Sequence, residues 1–109
     1  MAWPQAVACF FGAAFLTNAV PHLVSGLLGR AFQTPFAKPP GVGLSSSTVN
    51  VLWGFANVAA AYVLLVRLGG FDLRSSADAA AAGLGALLMG VLSARLFGRL
   101  HGGNTPERH

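Results

Sequence analysis

His22 stands in a stretch, Ala2 to Gly29, that holds no Lys, Arg, Asp or Glu. An imidazole there is the one side chain able to change charge near neutral pH, and it can relay protons or ligate a metal or haem iron. Its neighbours at helical spacing are small or polar. Ala14, Asn18, His22, Ser25 and Gly29 follow one another at steps of four, four, three and four, which is one face of a helix. A second stripe, Asn50, Trp53, Gly54, Asn57 and Ala61, has the same periodicity. Polar faces on neighbouring helices are expected to pair, because an unpaired polar group in an apolar medium costs free energy. Asn18, His22, Asn50, Trp53 and Asn57 therefore form the candidate intramembrane polar site.

What that site can do is limited by what it lacks. A metal centre needs several ligands, and no second His, Cys or acid lies at helical spacing from His22. Asparagine amides at such positions act as bonds between helices, each contributing about 0.6–2 kcal/mol. Packing and hydrogen bonding are the expected role of His22, with no resident metal or cofactor. His101 and His109 fall outside the apolar segments and are expected to face solvent. Gly41-Val42-Gly43, with Ser45, Ser46 and Ser47 just after it, lacks the lysine and preceding strand of a phosphate-binding loop. Those serines have no base nearby in sequence, so nucleophilic catalysis finds no support and the chain is not expected to be an enzyme.

These residues must be carried by helices. The uncharged stretch from Ala2 is 28 residues long, where roughly 20 cross a hydrocarbon core. Pro21 interrupts it, and a single kinked helix over residues 4–28 is expected. Residues 30–46 contain Pro35, Pro39, Pro40, Gly41 and Gly43, which supply turns and deny regular helix. Phe32 and Phe36 make this loop apolar enough to lie at headgroup level or tuck between helices. A second helix spans 47–67, opened by the cap-competent Ser47 and closed by Arg67 and Gly69-Gly70. A third spans 76–97, with Ser75 three residues before Asp78 in the manner of a capping box. Helical character there has no breaker before Gly102-Gly103, and residues 102–109 form a polar tail. Along the third helix Ala82, Ala86, Gly90 and Ala94 repeat every four positions, a pattern that lets helix backbones approach closely.

Composition agrees with this pattern. Charged residues make up 9% of the chain and hydrophobic residues 54%, against roughly 25% charged in a soluble domain. The expected fold is all-α, one domain over residues 1–109, an integral membrane bundle with three transmembrane helices. Seven Lys and Arg against three acids give a net charge of +4, but the cations flank apolar segments singly, which excludes a nucleic-acid groove and points to lipid. Arg30, Lys38, Arg95, Arg99 and Arg108 fall on one side of a three-span topology and Arg67 and Arg74 on the other. Cations stay in excess on the cytoplasmic side, which sets the N-terminus outside and the C-terminus in the cytoplasm. Trp3 is placed to anchor at an interface. Cys9 is the only cysteine, so no internal disulfide is possible, and the residues before it lack the cationic and apolar segments of a lipoprotein cleavage site.

In length the chain is comparable to the small multidrug resistance transporters, but the first 71 residues contain no acid, and the membrane-embedded glutamate of those proteins has no counterpart. The segment Asn18 to Ser47, NAVPHLVSGLLGRAFQTPFAKPPGVGLSSS, resembles small bacterial inner-membrane proteins of unassigned function. That resemblance covers about the first half of the chain and implies location alone. The leading functional expectation is a structural or accessory subunit, as a homo-oligomer or within a larger membrane complex, because three short helices enclose little interior of their own. The alternative is an oligomeric transporter or channel subunit with a polar path around His22. A haem- or quinone-linked membrane subunit stands third.

Overall fold

A computed structural model describes residues 2–106, so Arg108 and His109 lie outside the described residues. Three long helices dominate. α1 runs Trp3–Leu27, α2 runs Ser47–Tyr62 and continues as π-helical turns over Val63–Leu68, and α3 runs Ser76–His101. Each of these three segments, at 25, 22 and 26 residues, is long and apolar enough to cross a membrane. α1 passes through Pro21 without a break. α3 reaches His101, four residues beyond the expected 97. It stops where Gly102 takes φ +75°, a left-handed turn that a glycine adopts without strain.

The start of α2 differs from expectation by one residue. Ser46, not Ser47, is the N-cap, and its Oγ accepts from Val49 N at 3.1 Å. Both serines have the right chemistry, and only Ser46 has the extended backbone a cap needs. Ser46→Ala is expected to lower stability by about 1 kcal/mol while Ser47→Ala stays near neutral, measured by unfolding in detergent micelles. At α3, Ser75 Oγ accepts from Asp78 N, but Asp78 does not complete a reciprocal box. Its Oδ2 accepts instead from Asp72 N at 2.8 Å, which ties the short second loop to the helix start.

Residues 30–46 are more ordered than a turn-rich loop. Phe32–Gln33 and Leu44–Ser45 form a two-stranded antiparallel ladder, β1 and β2, pairing Phe32 with Ser45 and Gln33 with Leu44. These four residues are the departure from an all-α chain. Gln33, Thr34 and Ala37 are buried, so the loop folds inward over one end of the helices. The Thr34 and Ser45 hydroxyls share a hydrogen bond, and Thr34 O accepts from Gly41 N at 2.9 Å.

α1 is the hub: both α2 and α3 pack along it, and α2 and α3 scarcely touch each other. Close approach is set by glycines. A Cβ on Gly26 would lie 2.7 Å from Ser47 O, and one on Gly54 would lie 2.6 Å from Leu23 Cγ. The interior that results consists of Ala8, Cys9, Ala13, Ala14, Ala19 and Ala61 with the polar side chains of His22, Asn50 and Asn57. The large apolar side chains, such as Phe11, Leu52, Phe55, Leu87 and Leu88, point outward.

Candidate functional site

The two polar stripes meet at the α1–α2 interface. Asn18 Nδ2 donates to Asn57 Oδ1 at 3.0 Å, and His22 Nδ1 lies 2.8 Å from Asn50 Oδ1. Both asparagines of α2 are oriented by the same device. Asn57 Nδ2 donates to Trp53 O at 2.8 Å, one turn back on its own helix, which turns its Oδ1 toward α1. Asn50 Nδ2 likewise donates to Ser46 O at 3.0 Å, and also reaches Phe32 O at 3.1 Å and Ser45 O at 3.2 Å. Three carbonyl oxygens around one amide group admit only its nitrogen, so Oδ1 is the atom facing His22. His22 must then donate through Nδ1, which in the neutral ring leaves the lone pair on Nε2.

Asn50 thereby joins three elements: its own helix, α1 through His22, and the loop through β1 and the end of β2. It is fully buried at 0% exposure, with Asn57 at 1% and His22 at 2%. Trp53 is half-buried, its Nε1 covered and without an oxygen partner, and the Phe36 ring lies edge-to-face 5.0 Å away.

Around His22 the structure adds residues that periodicity did not single out. Phe32 meets the imidazole edge-on at 5.6 Å, and Trp53 and Phe97 do so at 6.4 Å each. Phe32 also stacks on His101 with centroids 5.6 Å apart and planes 5° apart. His101 was expected simply to face solvent. It is exposed, but its Nε2 donates to Gln33 Oε1 at 3.0 Å, so it fastens the end of α3 to the loop. No sequence signal marks that pair, because Gln33 and His101 are brought together only by the folding of the loop.

The small-residue stripe of α3, Ala82, Ala86, Gly90 and Ala94, does not follow the line of contact with α1 along its length. The close contact is at Gly85, where a Cβ would clash with the Phe10 carbonyl. Ala82 and Ala86 are half-buried beside it, a Cβ on Gly90 would meet nothing within 4 Å, and Ala94 is exposed at a groove shared with α1. The physical reason is rotation. A strict step of four turns about 40° per step on a helix of 3.6 residues per turn, so the stripe drifts off the contact line by Gly90 and Ala94.

Because α2 and α3 stand apart, cavities open between the helices. One of about 550 Å³ has Asn18 and His22 of α1 and Trp53 of α2 on one side, and Leu96, Phe97 and Leu100 of α3 on the other. Loop residues Pro35, Pro40 and Val42 border it as well, and Arg99 stands on its lining. A shallower groove of about 710 Å³ runs along α1 and α3 past Leu16, Thr17, Val20, Ser93 and Ala94. No group of three or more His, Cys, Asp or Glu side chains that could hold a metal occurs among the described residues.

The fold and site define a mostly helical chain of three potential membrane spans with a hydrogen-bonded polar centre. It matches no protein-family model, and neither the curated proteins nor the solved structures include a detectable match.

Proposed function

We propose that this chain is an integral membrane protein of three spans that serves as a structural or accessory subunit, docking through the α1–α3 groove against a membrane-spanning helix of another chain. The membrane placement is supported by the inverted interior, in which small and polar side chains are inside and large apolar ones outside. Helix association in lipid takes that form, because apolar burial gains nothing there and close backbone approach with hydrogen bonds gains something. The longest dimension, 46 Å, also suits a bilayer of about 40–45 Å including headgroups. The loop end carries Arg30, Lys38, Arg95 and Arg99, which supports placing that end in the cytoplasm, in a bacterial inner membrane, with the N-terminus outside.

The observation that carries the accessory role is the pairing of the polar side chains of α1 with those of α2. Asn18, His22, Asn50 and Asn57 bond to one another and to the loop, which is the arrangement of a scaffold. Asn50 and Asn57 are at most 1% exposed and border neither cavity described above, so a transport path along both stripes is not supported; only Asn18, His22 and Trp53 border the cavity toward α3. The groove offers a partner helix an apolar wall of Leu16, Val20, Val24 and Phe97 with the small Ser93 and Ala94 on the α3 side, and Gly90 lies one turn before Ala94. Gly90→Leu is expected to weaken association by about tenfold or more, read by cross-linking in membranes, with helicity unchanged. Unaltered cross-linking would count against the docking face. The mass of the cross-linked species reports whether the occupant is a second copy or a different protein.

A further inference from the structure

We infer that Arg95 and Arg99, with the chain end folded back over them, form a binding site for one anionic phospholipid, its phosphate held by the arginines and an acyl chain lying in the cavity beside Phe97. Arg95 and Arg99 are one turn apart and share a face of α3. Beyond the Gly102 turn the chain reverses: Gly103 N donates to Gly98 O at 2.8 Å and Asn104 Nδ2 to Ala94 O at 3.3 Å. The reversal borders an open pocket of about 550 Å³ at the surface, lined by Arg95, Gly98, Arg99, Gly102, Asn104 and Thr105. Arg99 also lines the largely apolar cavity that runs to His22, so the open pocket and the apolar cavity adjoin at one arginine.

Charge complementarity selects the occupant. The two acids among the described residues, Asp72 and Asp78, lie at the opposite end of the bundle, beside the start of α3. Arg95 follows an uncharged run of only sixteen residues, Ala79 to Ala94, roughly 24 Å of helix at about 1.5 Å per residue, which is shorter than a hydrocarbon core of about 30 Å. A cation at that depth requires an anion or a path to the headgroups. A phosphate on an acyl chain provides the anion at that depth, and guanidinium groups match its oxygens in paired hydrogen bonds. The helix C-terminus, whose partial negative charge opposes an anion, is blunted because Gly98 O accepts from both Gly102 N and Gly103 N and Ala94 O from Asn104.

This inference rests on the membrane placement proposed above, and one experiment separates the two. The full chain is reconstituted in nanodiscs of equal phosphatidylglycerol and phosphatidylcholine, and the lipids retained on release are counted by native mass spectrometry. The wild type is expected to keep one phosphatidylglycerol, and the double change Arg95→Gln and Arg99→Gln to reduce that preference about 25-fold, each arginine supplying about fivefold. Arg30→Gln with Lys38→Gln, cations at the same end but outside both cavities, is expected to leave retention within about twofold. Equal loss in both double variants would reduce the effect to general surface charge and overturn the site, as would equal retention of both lipids by the wild type. Displacement of the lipid by millimolar inorganic phosphate would overturn the acyl-chain half. Failure of the chain to enter nanodiscs overturns the membrane placement together with the site.

Discussion

Asn50→Ala is expected to destabilise the protein by about 3–5 kcal/mol, far more than any other asparagine change. Its side chain bonds to His22 Nδ1–H, Phe32 O and Ser45 O, and all three bonds are lost when the amide is removed. Ser46 O is not stranded, since the backbone N–H of residue 50 donates to it at 3.0 Å. The buried His22 Nδ1–H left without an acceptor costs about 1–3 kcal/mol, and the two part-buried carbonyl bonds, at about 0.5–1.5 kcal/mol each, bring the loss above what a single interhelical bond is worth in a membrane. Asn57→Ala strands only Asn18 Nδ2, because Trp53 O keeps its helical partner, and is expected to cost about 1 kcal/mol. The comparison is made by denaturant-driven unfolding in mixed micelles. Limited proteolysis gives a second readout: loss of Asn50 frees residues 30–46 for cleavage, whereas loss of Asn57 does not. Equal costs for the two substitutions would show that Asn50 is not the junction of loop and helices.

The polar centre was legible in the sequence because periodicity alone determines which side chains share a helical face. Once α1 and α2 are antiparallel neighbours, Asn18 and His22 have no polar groups to meet except Asn57 and Asn50. Phe32 and Phe36 marked the loop as apolar enough to tuck between helices, but its strand pairing was not legible. Burial of Gln33 and Thr34 depends on a pairing of Phe32–Gln33 with Leu44–Ser45 that no local pattern announces, and prolines around it argue for exposure. The cap at Ser46 was ambiguous among three consecutive serines, since side-chain chemistry is identical and backbone conformation alone decides. The glycine at which α3 crosses α1 was not legible either. Gly83, Gly85 and Gly90 are chemically equal in the sequence, and the crossing of α3 over α1 falls at Gly85, outside the stripe of Ala82, Ala86, Gly90 and Ala94. Sequence supplies candidates for close approach, and the helix crossing point selects among them.

That selection predicts a reversal of sign along one helix. Gly85→Ala is expected to cost about 2–3 kcal/mol, because its Cβ would occupy the space of the Phe10 carbonyl and backbone there cannot step aside as a side chain can. The helices must separate, and α3 has no other neighbour to hold it, since its contacts run along α1 and it scarcely meets α2. Gly83→Ala and Gly90→Ala meet nothing within 4 Å, so they are expected to stabilise by about 0.5–1 kcal/mol through the reduced backbone freedom of alanine. The measurement is proximity between α1 and α3, by disulfide trapping of cysteines placed on the two helices, alongside unfolding in micelles. Gly85→Ala should lower α1–α3 trapping and leave the α1–α2 contact intact, whereas both properties should persist in the other two variants. Three equal responses would show that α3 does not cross α1 at Gly85. The same series protects the association experiment: Gly90→Leu acts on a partner only if Gly90 is free of α1, and a neutral or stabilising Gly90→Ala is the evidence that it is.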